Sequence, residues 1–171
     1  MKIVEAYLGL GCNLGECEAN LCSALQQINE LTSVTVNSIS SFYRSKPLDN
    51  MPQADYLNAV VQIETGLLPI PLLDKLQAIE YQHGRRRHQE RWGPRSLDID
   101  ILLYGDQVIN HSRLRIPHPG ISQRDFVLIP LVEINPQIRI PGLGKISEVV
   151  ALCPDRGLSK LPTPCMSKKH R

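Results

Sequence analysis

From Arg91 to Gly105 the chain reads Arg91-Trp92-Gly93-Pro94-Arg95-Ser96-Leu97-Asp98-Ile99-Asp100-Ile101-Leu102-Leu103-Tyr104-Gly105, which sets two carboxylates into an apolar run. Residues two apart on a β-strand share a face and lie roughly 6.5–7 Å from each other. Asp98 and Asp100 would then stand side by side, with Leu97, Ile99 and Ile101 turned into a core. Neighbouring carboxylates repel unless a cation lies between them, and Mg²⁺ is a hard ion that completes its shell with water and substrate phosphates. Just upstream runs Arg85-Arg86-Arg87-His88-Gln89-Glu90-Arg91. Guanidinium groups fork onto phosphate oxygens and stay charged, so a loop of this kind can close over a polyphosphate. Alone, the aspartates read as a solvated strand face and the arginines as a solubilising loop. Side by side, they describe a site for a metal-bound polyphosphate.

Other residues leave more than one reading. Tyr56 and Asn58 can recognise a flat heterocycle by stacking and hydrogen bonding, and they can equally pack a strand end. Phe126, at helical spacing, fits core as readily as a ligand platform. His118 sits in Ile116-Pro117-His118-Pro119, with Arg113 and Arg115 before it and Arg124 after it. The flanking prolines would hold the imidazole in place, though a surface turn histidine looks the same. Gly9, Gly11 and Gly15 miss the dinucleotide fingerprint because Leu14 stands where it needs glycine. A Walker A run and a G-x-S-x-G elbow are both lacking, so any nucleotide must be held in another way.

The elements that must position these residues follow from periodicity. Ile3 to Leu10 alternates as a strand, and Leu21, Leu25, Ile28 and Leu31 mark an amphipathic helix. Val34 to Tyr43 predicts a second strand, and Leu57 to Thr65 a third after a proline-containing loop. Pro71 can sit in the first turn of a second helix that Gly84 stops. Leu97 to Tyr104 is the fourth strand, with a short partner expected at Gln107 to Ile109. Ser122 could cap a helix that Pro130 kinks or ends. A last short helix fits Ile146 to Leu152. Strand, helix, strand, strand, helix, strand predicts an α+β fold, a ferredoxin-like sandwich of mainly antiparallel sheet with helices packed on one face. One domain over residues 1–152 is expected, with residues 153–171 a basic, loose tail.

Composition sets the limits. The chain has 171 residues, 21% charged and 42% hydrophobic, enough for one soluble domain with a sizeable core. A net charge of +2 argues against a surface built for nucleic acid. No apolar run approaches the roughly 20 residues of a membrane span. Glu5 comes early and no small-residue cleavage site follows, so a leader is not expected. The five cysteines Cys12, Cys17, Cys22, Cys153 and Cys165 lack zinc-ligand spacing and read as free thiols in a reducing cytoplasm.

The long central motif resembles the signature of the 6-hydroxymethyl-7,8-dihydropterin pyrophosphokinase family of folate biosynthesis. The likeness extends to Gly9-Leu10-Gly11-Cys12-Asn13-Leu14-Gly15, Ser41-Phe42-Tyr43-Arg44-Ser45, Tyr56-Leu57-Asn58-Ala59 and Ile116-Pro117-His118-Pro119, some three quarters of the chain. It implies transfer of diphosphate from ATP to a hydroxymethyldihydropterin, releasing AMP. Asp98 and Asp100 would hold two Mg²⁺ ions with ATP, and Arg85 and Arg95 would act on the phosphates. Gln77, Glu80, Arg87, Trp92, Ile101, Arg113, His118 and Arg124 would form the ATP site. Ser45, Leu48, Tyr56, Asn58 and Phe126 would surround the pterin. The expected partners are these two small molecules, with no nucleic acid and no membrane, and the expected form is a monomer. Cys12, Lys46 and Pro52-Gln53-Ala54 depart from the family pattern. A ferredoxin-like RNA-binding module using Arg85 to Arg91 is the rival reading, which the scarcity of aromatics disfavours. A catalytically silent nucleotide-binding relative also stays open.

Overall fold

The alternation at the start of the chain becomes β1 (Val4–Cys12). The computed structural model describes residues 2–47, 52–84 and 96–162. After β1 come α1 (Cys17–Glu30), β2 (Val34–Ile39), β3 (Phe42–Ser45), β4 (Tyr56–Thr65), α2 (Pro69–Gln82) and β5 (Asp98–Tyr104). The second half adds β6 (Ile109–His111), β7 (Leu114–Ile116), α3 (Asp125–Ile134), β8 (Arg139–Ile140), β9 (Gly144–Lys145), α4 (Ile146–Leu152) and β10 (Ser159–Leu161). The main sheet runs β10-β3-β4-β1-β5, with β2 also on β4, and every pairing is antiparallel. The fold is α+β.

Burial explains why the helices dock where they do. Leu21, Ala24, Leu25 and Ile28 of α1 are three or four residues apart and fully buried, so one stripe meets the sheet. Leu72, Leu76 and Ile79 of α2 join the same core, with Leu8 and Leu10 of β1 and Ile99 and Ile101 of β5. Truncating a leucine buried this completely costs about 2–5 kcal/mol. Pro69 opens α2, where a missing N–H loses nothing, and Gly84 follows its end at φ +94°, a conformation that favours glycine. The opposite face carries a second core. There Tyr7, Val60, Leu102 and Leu103 meet Val127, Leu128 and Leu131 of α3 and Ile146 and Val149 of α4.

Several sequence expectations need correcting. Helices cover both sheet faces, because α3 and α4 supply apolar stripes of their own. The strand expected over Val34 to Tyr43 breaks at Ser40 and Ser41. Buried Ser40 turns its hydroxyl to accept the Val60 N–H, taking the place of a ladder carbonyl. The hairpin after β5 pairs β6 with β7, not Gln107–Ile109 with β5. Pro130 lies inside α3 without ending it. Beyond Leu152 the chain returns to the sheet as β10, paired with β3. Among the described residues, no helix is long and apolar enough to cross a membrane.

Candidate active site

Strand register gathers the site. Asp98 lies opposite Gly11, Gly11 opposite Asn58, and Asn58 opposite Tyr43, across β5, β1, β4 and β3. One pleat away, Asp100 lies opposite Gly9 and Gly9 opposite Val60. Paired residues share a face, so both carboxylates project on the side of the α3–α4 core and stay half-exposed. Gly11 puts no side chain between Asp98 and Asn58, while the Leu102 side chain packs over Gly9. A Cβ at Gly11 would meet Asn58 Oδ1 at 3.5 Å and Tyr56 Cδ1 at 3.7 Å; at Gly9 it would press Leu102 at 3.3 Å. Asn58 Nδ2 donates to Ser45 Oγ at 2.7 Å and to the Tyr43 carbonyl at 3.3 Å, which fixes the amide plane and turns Oδ1 toward Gly11. Asn58 and Ser45 are buried, and Tyr56 and Phe126 are half-buried.

The free edge of β5 forms the wall of a cavity of about 350 Å³, lined by Gln77, Glu80, Asp100, Ile101, Arg113 and His118 among others. Six of the residues read from sequence as an ATP and metal site thus share one hollow. Glu80 is 5% exposed and accepts the Ile99 N–H at 2.7 Å, so a buried carboxylate caps the edge between the two aspartates. The His118 N–H donates to the Leu102 carbonyl at 3.1 Å, capping the next gap. The His118 ring stands 3.8 Å from Asp100. Burial drives its pKa below the ordinary histidine value, Asp100 pulls the other way, and Arg124 adds to the lowering. Arg124 lies against Gly120 and 5.7 Å from the centre of the Phe126 ring, which links the cation to the aromatic.

The fit to a divalent ion can be judged from the donors. Among the described residues, no three His, Cys, Asp or Glu side chains gather into a closed cage. Two half-exposed carboxylates on one strand face instead suit an ion that brings phosphate and water ligands with it. Arg85, Arg87, Trp92, Arg95 and Leu48 lie outside the described residues.

Some positioning residues had no signal in the sequence. The described residues on either side of the arginine segment are tied together: Ser96 Oγ donates to the His83 carbonyl, and Asn20 Nδ2 donates to the Ser96 carbonyl at 3.1 Å. The proline loop is pinned by Asn13, whose Nδ2 donates to Gln53 Oε1 at 2.9 Å and the Ala54 carbonyl at 3.1 Å. Next to Asn13, Cys12 forms a disulfide with Cys17 at a Cα–Cα distance of 5.4 Å, and Cys22 is disulfide-bonded as well. The expectation of free thiols fails for these three; for Cys12 and Cys17 the reason is that the end of β1 and the start of α1 bring residues five apart to bonding distance, while Cys153 is free.

Comparison with known proteins decides the family. Residues 7–136 match the family profile described as 7,8-dihydro-6-hydroxymethylpterin-pyrophosphokinase. The chain belongs to this family. The pyrophosphokinase match takes in β1 through α3, and so both the aspartate row and the β5 cavity. The 2-amino-4-hydroxy-6-hydroxymethyldihydropteridine pyrophosphokinase of Haemophilus influenzae is 45% identical over 159 residues, 93% of this chain and 99% of that one. The protein of the same name from Pseudomonas aeruginosa is 41% identical over 160 residues, 94% and 98% of the two chains. A solved HPPK-DHPS in complex with substrates superposes with a TM-score of 0.67 at 13% identity, over 88% of this chain and 43% of that one. Plasmodium falciparum HPPK-DHPS with pteroate gives 0.69 at 15% identity, over 88% and 42%. This chain therefore spans less than half of those longer chains, and they speak to fold alone.

Proposed function

We propose that the protein transfers diphosphate from ATP to the hydroxymethyl group of 6-hydroxymethyl-7,8-dihydropterin and releases AMP, as a step of folate biosynthesis. The observation that carries this reading is the registered row from Asp98 across Gly11 to Asn58. It sets a fixed amide, suited to a heterocycle edge, across the side-chain-free Gly11 from a pair of half-exposed carboxylates whose chemistry suits Mg²⁺. The pterin would lie over Gly11, between Asn58, Ser45, Tyr56 and Phe126. ATP would occupy the β5 cavity, with its phosphates directed toward Asp98 and Asp100. Two Mg²⁺ ions, held by those aspartates together with the triphosphate, would neutralise phosphate charge and ease loss of the hydroxyl proton. The pterin oxygen bonds to the β-phosphorus, the bond from that phosphorus to the α,β-bridging oxygen breaks, and AMP leaves with the electron pair. Asp100 is assigned the role of receiving the proton.

His118, kept neutral, can donate one hydrogen bond to a phosphate oxygen while leaving the negative charge of Asp100 available. Arg85 and Arg95 are assigned to phosphate contact by family resemblance. The same reading includes a ferredoxin-like core, a monomer and a cytoplasmic location; the Cys12–Cys17 disulfide sits against the last of these. The test is product identity. Incubated with ATP, Mg²⁺ and the pterin alcohol, the protein should form AMP only when the pterin is present. ADP as product, or AMP independent of pterin, would refute the assignment.

A further inference from the structure

We infer that Asp74, on the outer face of α2, is a positioning residue for nucleotide: it holds the Arg113 guanidinium at the mouth of the β5 cavity. The inference rests on the nucleotide reading of that cavity. Arg113 lies at the tip of the β6–β7 hairpin, where its backbone N–H donates to His111 Nδ1 at 3.0 Å. Its side chain crosses to α2, where Nη2 donates to Asp74 Oδ1 at 2.7 Å and to Gln77 Oε1 at 3.0 Å. Asp74 and Gln77 are three residues apart and so form neighbouring positions on one helix face. Together they grip a single guanidinium nitrogen. A guanidinium has five N–H donors, so Nη1 and Nε keep theirs for a ligand.

Arg113 and Gln77 line the cavity, but Asp74 does not, so its link by contact to a ligand runs through Arg113. Arg115 gives the contrast: it lines the same cavity, is exposed, and makes no ion pair among the described residues. One arginine is thus fixed before ligand arrives and the other is not. Fixing the long side chain in advance reduces the ordering that binding would otherwise require.

Calorimetric titration of the whole protein with the α,β-methylene analogue of ATP and Mg²⁺ would test this. The set is wild type, Asp74→Ala, Asp74→Asn, Arg113→Ala and the Asp74→Ala/Arg113→Ala double variant. Asp74→Ala should weaken binding about two- to fivefold, the scale of an exposed ion pair. It should have no further effect once Arg113 is alanine, and Asp74→Asn, which keeps the acceptor oxygen, should fall between. The KM for ATP should follow the affinity while kcat at saturating ATP stays unchanged. Unchanged or tighter binding by Asp74→Ala would overturn the inference, as would equal weakening with and without Arg113. If Arg113→Ala binds weakly and Asp74→Ala does not, only this inference falls. If Arg113→Ala binds like wild type, the nucleotide reading of the cavity falls with it.

Discussion

Asn58 can present a fixed acceptor to the site only because Ser45 and the Tyr43 carbonyl hold both of its amide hydrogens. Removing the amide should therefore affect pterin recognition and leave the nucleotide alone. Asn58→Ala is expected to raise the pterin KM by about 10-fold or more, the value of one or two buried hydrogen bonds, with nucleotide affinity unchanged. Steady-state kinetics with each substrate varied in turn would check it; an equal rise in the ATP KM would contradict the division of the site. Glu80 supports a different claim. Its carboxylate accepts the Ile99 N–H, so Glu80→Ala leaves a buried donor on the edge between the two aspartates. A loss of about 1–3 kcal/mol of stability is expected in urea denaturation, and a loss near zero would mean that water takes the place of the carboxylate.

At the scale of elements, the site depends on where strands end and what ties their loops. β1, β4 and β5 are legible in the sequence because apolar residues alternate on the α1–α2 side, and the aspartate pair inherits its common face from that alternation. The use of Gly9 and Gly11 is not legible, because it depends on which residues lie opposite them, and that depends on strand order. The Ser40–Ser41 break stays hidden for a similar reason: the distant Val60 N–H supplies the partner. Cys12 and Cys17 look unrelated until β1 and α1 approach each other. Their disulfide closes a short loop, so Cys12→Ser/Cys17→Ser should lose about 2 kcal/mol through chain entropy. That corresponds to a Tm lower by about 4–8 °C in scanning calorimetry without reductant, and an unchanged Tm would show that the bond adds nothing.

Across the described residues, helices cover both faces of the sheet, and Asp98 and Asp100 stay half-exposed at the end where they lie in register with Gly11 and Gly9. The first helical layer is readable from the spacing in α1 and α2, whereas β10 is three residues long and has too little pattern to announce its pairing. Tyr7 ties the second layer to the sheet: its hydroxyl donates to Glu5 Oε1 at 3.0 Å and accepts from Asn135 Nδ2 at 2.9 Å. Burial, reinforced by Glu5 and partly offset by Asn135, pushes Tyr7 up to about 12, against about 10 when unfolded. A raised pKa favours the protonated folded form, so this contribution is complete below pH 10 and is lost as pH rises toward 12. Between those limits urea midpoints should fall less steeply for Tyr7→Phe than for wild type; equal slopes would contradict the assignment. The central claim, that Asp98 and Asp100 hold divalent metal together with a triphosphate, is tested most directly by titrating a non-hydrolysable ATP analogue with and without Mg²⁺. Wild type should bind far more tightly with the metal, and Asp98→Asn/Asp100→Asn should lose that gain, along with about two orders of magnitude or more in turnover. Nucleotide affinity indifferent to Mg²⁺ in the wild-type protein would contradict it.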